Sequence, residues 1–429
     1  MSDSQRRRVA DSESDSMFSQ LASTGTGLVR FARALPGTTA LLERFRESRG
    51  GHPAEEKHDA HLHAALDWIA CAQDATSGGG IARGYSLTWH LHFRRRGWQP
   101  AYPETTGYII PTLLRAARDY GRPELKDRAV RAAQWEVEIQ MESGAVRGGV
   151  IGEEEAPAVF NTGQVMLGWM AAHEATGNQA FAEAAVRAAK FLLSCLDDNG
   201  HWRGGRSLFA SPDSTLYNAR TAWALAEAGV RYGESAFVEG ARRNLSFVAD
   251  MQHADGWLPA CCLSDPEHPL LHTIAYAVRG LLEGGRVLKD DRLVRAAILA
   301  AERLAASVRA DGWMPGRFAT DWWPWVEWSC LTGEAQMANN WMRLWIITGD
   351  ERWLEPVPRV LRFLKRTQNR TTKVRGLRGG IKGSWPISGD YGRFEVLAWA
   401  TKYFADALMR HDATARGRDA AAAADHTLA

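Results

Sequence analysis

Four glycines recur at a constant interval along this chain. Gly144, Gly200, Gly256 and Gly312 are each separated by 56 residues (200−144, 256−200 and 312−256). Each lies in a related phrase, and looser versions of that phrase occur at 71–80 and 367–380, which makes six copies in all. A fixed period of this length is typical of repeat proteins, so the fold of the chain follows from the fold of one unit.

Each unit predicts a helical hairpin. The segment before each glycine phrase is rich in Ala, Leu and Arg, with apolar residues at helical spacing: 57–73, 123–141, 179–196, 236–252, 290–309 and 351–367. A second and more apolar segment follows each phrase: 101–119, 158–176, 214–232, 268–286, 329–348 and 388–410. Most of the second segments end on glycine, as helices that close with a left-handed residue do.

The contrast between the two kinds of segment indicates two concentric rings. First segments carry charges on one side, whereas second segments such as GQVMLGWMAA at 163–172 are apolar nearly all round and suit a buried ring. We therefore predict an all-α protein, an (α/α)6 toroid of twelve main helices with almost no strand outside the connections. The expected organisation is a disordered or loosely packed arm at 1–50, the toroid domain at 51–411 and a disordered tail at 412–429.

Composition argues against several kinds of partner. The net charge is +2 over 429 residues, which is too balanced to favour nucleic acid or a membrane surface. We found no apolar run of membrane-spanning length and no secretory signal, and the five cysteines lack metal-ligand spacing. The expectations are a cytoplasmic location, reduced thiols, no metal and no cofactor.

The residues that open the inner helices converge on one rim of such a toroid. Thr106, Thr162, Asn218, Thr273 and Thr332 occupy equivalent places, and we expect them to be helix N-caps. The positions beside these residues vary in polar character, which is the behaviour of a binding face on a repeated scaffold. The connections add exposed aromatics, chiefly the run DWWPWVEW at 321–328, whose flat rings suit sugars or a polyisoprenoid chain.

The repeated hairpins resemble two groups of toroid proteins, the terpenoid cyclases with the prenyltransferases and the six-hairpin glycosidases with the polysaccharide lyases. A nearer resemblance, to toroid proteins of bacterial exopolysaccharide clusters, rests on YPETTGYIIPTLL (102–114), FNTGQV (160–165), CLTGEAQMA (330–338) and the segment 379–408. It implies a polysaccharide or oligosaccharide substrate. The chain has no D-x-D-D motif, which the cyclase resemblance would require, and a zinc site at Asp255, Cys261, Cys262 and His272 is disfavoured because adjacent cysteines point apart.

The lyase and epimerase resemblance implies a Tyr or His that removes a proton beside a uronate carboxylate, with a polar clamp on that carboxylate. The candidate catalytic residues are Tyr217, His272, Tyr276 and Arg220. The candidate substrate-binding residues are Glu104, Tyr108, Asn161, Gln164, Asn218, Trp323, Trp325, Glu327, Gln336, Lys382, Trp385, Asp390, Tyr391 and Arg393.

Three other functions remain open at this stage. A glycoside hydrolase needs two carboxylates, for which Glu104, Glu327 and Asp390 are available. A non-catalytic glycan-binding toroid is the second. In an enzyme Tyr217 and His272 would face one cavity with Arg220, whereas in a binding protein they would lie under separate loops. A terpenoid cyclase-like enzyme is the third.

Overall fold

The structure, a computed structural model, describes residues 37–205 and 215–415. A short helix, α1 (Thr38–Ser48), precedes twelve others that alternate between an outer and an inner ring. The outer helices are α2 (Asp59–Asp74), α4 (Glu124–Glu138), α6 (Gln179–Ser194), α8 (Ser235–Met251), α10 (Asp291–Ala306) and α12 (Val357–Thr367). The inner helices are α3 (Pro103–Asp119), α5 (Val159–Thr176), α7 (Ala219–Tyr232), α9 (Leu271–Leu288), α11 (Leu331–Thr348) and α13 (Ala398–Ala415).

The inner helices form a closed ring. Each packs against the next, and α13 returns to pack against α3. Helices α5 and α9 are buried over most of their length, whereas α10 buries one face through Leu293, Ala297 and Leu304. This arrangement confirms the predicted (α/α)6 toroid.

The repeated glycines place each outer helix against its neighbour. Gly312 has φ +94°, and a Cβ built there would lie 2.2 Å from the carbonyl oxygen of Arg359 on α12. The same left-handed conformation and close approach to the next outer helix occur at Gly79, Gly144, Gly200 and Gly256. Gly379, in the last copy, approaches the carbonyl oxygen of Ala64 on α2 and so closes the outer ring. Only glycine combines this backbone conformation with such a close approach.

A glutamine supports several of these contacts. Gln140 Nε2 donates to the carbonyl oxygens of Gly144 and, at 3.0 Å, of Ala184 on the next outer helix. Gln73, Gln252 and Gln368 make the same pair of bonds in their own repeats. Each amide thereby satisfies two carbonyls, one from each of two neighbouring units.

The expectation that the aligned threonines are N-caps is wrong. Helices α3, α5, α9 and α11 are capped by Tyr102, Ala158, Leu270 and Cys330, so the threonines lie inside the first turn. At Thr162 the hydroxyl accepts from Val146 N at 2.9 Å and donates to Ala158 O at 2.7 Å. Thr106 bonds in the same way to Ile81 N and Tyr102 O, so both threonines attach the preceding connection to an inner helix. Asn218 does precede α7, without a capping bond from its side chain.

The strands are short and lie in the connections, as predicted for the described residues. Strands β1 (Gly84–His90), β2 (Arg95–Trp98) and β7 (Glu395–Leu397) form one antiparallel sheet in the order β2-β1-β7. Two further pairs join β3 (Phe318–Ala319) to β4 (Trp323–Pro324) and β5 (Ser329–Cys330) to β6 (Ser384–Trp385). Strand β7 of this sheet contacts α13, and β1 contacts α1.

Helix α1 is joined to the last hairpin by buried charges. Lys382 is fully buried, and its Nζ lies 3.2 Å from Glu43 Oε2 and 2.8 Å from Glu47 Oε1. Asn369 also donates to Glu43. Residues 1–36 of the expected arm and 416–429 of the expected tail lie outside the described residues.

Within 37–205 and 215–415, the helices that are long enough to cross a lipid bilayer are not apolar enough to do so.

The glycine contacts generate a paired prediction. We expect Gly312→Ala to lower the free energy of unfolding by about 3 kcal/mol, because the methyl group meets a backbone carbonyl and the left-handed conformation is also disfavoured. Gly349 has φ +73° with nothing within 4 Å of an added Cβ, so Gly349→Ala should cost only about 1 kcal/mol. Urea unfolding of both variants measures the difference, and equal losses would contradict the packing role.

The buried ion pairs of Lys382 generate a second prediction about stability. Lys382→Met keeps the volume but removes the buried cation that Glu43 and Glu47 share, and should destabilise the protein by about 3 kcal/mol. Arg46 pairs with the same Glu43, but its side chain is 42% exposed, so Arg46→Ala should cost less than about 1 kcal/mol. Thermal and urea unfolding compare the two. A Lys382→Met protein as stable as the parent would show that the pairs contribute nothing.

Candidate functional site

A cavity of about 360 Å³ opens at the end of the ring where the inner helices begin. Its size falls within the range of small-ligand sites and is too small for a long polymer segment. Its polar and aromatic lining is Arg83, His90, His92, Phe93, Tyr102, Glu104, Glu153, His272, Tyr391 and Trp399. These side chains come from β1, the first turns of α3, α9 and α13, and the connections between them.

Glu104 and Tyr102 form the acidic centre of the cavity. The Tyr102 hydroxyl donates to Glu104 Oε2 at 2.5 Å. Burial raises the pKa of Glu104 to about 7, although the bond from Tyr102 and the charges of Arg83 and Arg220 favour the ionised form. A carboxyl with a pKa near neutrality can both donate and accept a proton at physiological pH.

His272 is a neutral base in the same cavity. Its Nδ1 lies 2.8 Å from Gln336 Oε1, and since an amide oxygen only accepts, Nδ1 carries the proton. Burial lowers the pKa of His272 to about 4, and the charge of Arg220 acts in the same direction. In this tautomer Nε2 holds a free lone pair, so His272 can accept a proton there.

Arg83 brings a cation to the cavity, together with its own counterion. Arg83 Nη1 lies 3.1 Å from Glu395 Oε2, and Gln99 Oε1 accepts a second bond from the same nitrogen. Burial would raise the pKa of Glu395, but the charges of Arg83 and His90 lower it to about 2. The guanidinium of Arg83 also lies 4.9 Å above the Trp399 ring. Its charge is therefore balanced before any ligand binds.

The outer edge of the cavity carries a second charged contact. His92, at the end of the β1–β2 hairpin, bonds to Glu153, whose other carboxylate oxygen accepts from Val150 N at 3.0 Å. Both side chains are partly exposed. This contact joins the hairpin to the connection before α5.

Three of the predicted residues line the cavity, namely Glu104, His272 and Tyr391. Others support it from behind, and these are Tyr108, Asn161, Gln164, Arg220, Tyr276 and Gln336. Asn161 hydrogen-bonds to the Tyr102 side chain, Gln336 orients His272, and the Tyr276 ring packs 4.5 Å from the His272 ring. Gln164 Oε1 accepts from Arg220 Nε at 2.6 Å. Tyr108 is buried against Tyr403.

The remaining predicted residues lie outside this lining. Tyr217 is buried edge-on against Phe160, and the neighbouring Asn218 is buried with it. Lys382 is enclosed by α1, and Trp385 is half-buried against Phe363. Trp325 stacks on His268 at 3.8 Å and Trp323 is 61% exposed. Glu327, Asp390 and Arg393 are exposed, so the carboxylates predicted for a hydrolase are not brought together in the cavity.

Several lining residues were missed from sequence. Arg83 directly precedes β1, and its partner Glu395, which is not part of the lining, is the first residue of β7. Tyr102 is the N-cap of α3, a position that carries Ala158, Leu270 and Cys330 in other repeats. One sequence signal could have revealed Arg83. It is the charged residue of the otherwise uncharged segment IARGYS (81–86), which lies in a connection between helices.

The chain matches no protein-family model and no curated protein sequence. It is similar to solved structures of toroid enzymes. An unsaturated glucuronyl hydrolase specific for heparin has a TM-score of 0.65 at 14% identity, over 84% of this chain and 98% of that one. A sugar epimerase from a ruminal bacterium scores 0.63 at 14% identity, over 82% and 98% of the two chains. A cellobiose 2-epimerase from Bacillus thermoamylovorans scores 0.61 at 11% identity, over 87% and 100%. At these identities the likeness is one of fold.

The raised pKa of Glu104 predicts how stability depends on pH. Between the ordinary glutamate pKa of 4.5 and the folded value of about 7, the unfolded chain is ionised at this position while the folded protein keeps the proton. Stability therefore falls as pH rises through this window. Glu104→Gln cannot titrate, so the parent should lose on the order of 2 kcal/mol relative to this variant between pH 4.5 and 7.5. Urea unfolding across the range measures the difference, and a constant difference would contradict the assignment.

Proposed function

We propose that this protein is a carbohydrate-active enzyme that moves a proton on a small saccharide, as an epimerase does. The observation that supports it best is the pair Glu104 and His272. One is an acid with a pKa of about 7 and the other a neutral base, and both line the same cavity. The pKa of the carboxyl is raised and the pKa of the imidazole is lowered, so both groups are neutral and one can donate a proton while the other accepts one. General acid–base catalysis needs such a pair.

The proposed reaction removes a proton from the carbon beside a sugar carbonyl. His272 Nε2 takes the proton, the electron pair of the C–H bond forms a C=C bond, and the carbonyl oxygen receives the proton of Glu104. The planar enediol then turns in the cavity so that its opposite face meets His272. The imidazolium returns the proton to that face, Glu104 takes back the proton of the enediol oxygen and the C=O bond re-forms, which gives the epimer and restores both groups. Tyr102 donates to Glu104 and favours its ionised form after the transfer.

The charges that line the cavity indicate whether a neutral or an acidic sugar would bind there. Of the predicted site residues, the arginines that could bind a uronate carboxylate are Arg220 and Arg393, but Arg220 lies behind the lining and Arg393 is exposed. Among the described lining residues the arginine is Arg83, already paired with Glu395. We therefore propose that a neutral sugar is preferred over a uronate, and that Arg83 orients it through hydrogen bonds to hydroxyl groups.

A hydrolase is the second candidate, because Glu153 puts another carboxylate in the lining. Glu104 would then protonate the leaving oxygen and Glu153 would activate water or attack the sugar.

Activity in deuterated water distinguishes these proposals. Neutral and uronate oligosaccharides and free sugars are incubated with the protein and followed by NMR. We expect an epimer that carries deuterium at the reacting carbon. Glu104→Gln and His272→Gln should each lower turnover by about 100-fold or more, because each removes one proton-transfer group.

Matched variants complete the experiment. Glu327→Gln changes an exposed carboxylate and Tyr217→Phe changes a tyrosine outside the lining, so both should retain turnover near that of the parent. Release of reducing ends without deuterium uptake, abolished by Glu153→Gln, would replace the epimerase with the hydrolase. Binding without any product would leave a glycan-binding protein.

A further inference from the structure

A second and much smaller pocket lies on the toroid axis, behind the cavity. Gln336 separates the two, since its amide oxygen accepts from His272 while its side chain also lines the inner pocket. The pocket has a volume of about 10 Å³, which is room for about one water-sized occupant. Arg220, Arg279, Asn339, Asn340 and Asp406 contribute to its lining.

Within the described residues, Arg220 is a buried cation with no carboxylate in salt-bridge contact. It is 2% exposed, its Nε donates to Gln164, and its Nη2 has no hydrogen-bond partner within the described residues. The rings of Tyr276 and Tyr403 lie 5.4 and 5.7 Å from the guanidinium carbon and stabilise the charge only in part. A buried charge without a counterion is costly, so an unmatched donor here calls for an occupant that accepts hydrogen bonds.

The surroundings of the pocket carry an excess of positive charge. Arg343 and Arg279 share one carboxylate, Glu283, and Lys402 uses Asp406 at 2.6 Å. Arg286 also contacts Glu283 and pairs with Glu227. With Arg220, the described residues of this cluster are five cations and three carboxylates. Burial lowers the pKa of Arg279 to about 10, and the charges of Arg343 and Arg220 add to that effect while Glu283 opposes it. Asp406 supplies a carboxylate to the lining, but it already pairs with Lys402 and accepts a hydrogen bond from the Thr112 hydroxyl.

We propose that this pocket binds one small monovalent inorganic anion, such as chloride, between the guanidinium groups of Arg220 and Arg279. A pocket of this size favours a small ion over phosphate or an organic acid, and the excess of cations favours an anion over water. The anion would stabilise the meeting point of α7, α9, α11 and α13, from which Arg220, Arg279, Asn339 and Asp406 project. This site is independent of the chemistry proposed for the outer cavity.

Bromide locates the anion directly. Crystals of the parent protein soaked in sodium bromide should show an anomalous peak in the pocket beside Arg220 Nη2. A fully occupied solvent peak without anomalous signal, or an empty pocket, would overturn the proposal.

Thermal unfolding tests the same site in solution. At constant ionic strength, replacing sodium gluconate with sodium chloride should raise the unfolding midpoint of the parent by about 2 °C or more and then saturate. Arg220→Gln should lose this response. Arg231 lies on the same helix but pairs with Glu174 at the surface, so Arg231→Gln should keep it. An equal chloride response in the Arg220→Gln protein, or none in the parent, would contradict the proposal.

Discussion

The close contact between a left-handed glycine and the backbone of the next outer helix fixes the geometry on which the toroid depends. It occurs in every repeat, and Gly379 makes it with α2, so the last unit meets the first. Because an added methyl group would strike main chain rather than a movable side chain, the spacing between units cannot adjust. Equal spacing around the ring brings the first turns of the inner helices to one end, where the cavity lies.

Burial by the same apolar ring sets the character of the two polar regions inside it. In the outer cavity, desolvation raises the pKa of Glu104 and lowers that of His272, so both groups favour their neutral forms without a direct partner of opposite charge. Deeper along the axis, the arginines stay charged because they have Glu283 and aromatic rings as neighbours. Gln336 lies at the boundary between the two regions, since it contacts His272 and also lines the inner pocket.

The fold was accessible from sequence because each repeat records the same glycine and helix pattern, and the structure confirms it. The site was accessible only in part. Glu104, His272 and Tyr391 were found because they stand near the start of an inner segment, where the repeats differ. Arg83 and Glu395 were missed because strand pairing between the first and last units unites them, and Lys382 was assigned to substrate because its counterions come from a helix more than 300 residues earlier.

The attachment of α1 to the last hairpin has a consequence for synthesis of the protein. Glu43 and Glu47 leave the ribosome early, whereas Asn369 and Lys382 are among the last parts of the toroid to be made. Until then both carboxylates must stay hydrated, so α1 cannot settle into its final position on a partial ring. Docking of α1 therefore requires the last hairpin of the ring to be in place. The first described helix of the chain is thus one of the last to reach its native contacts.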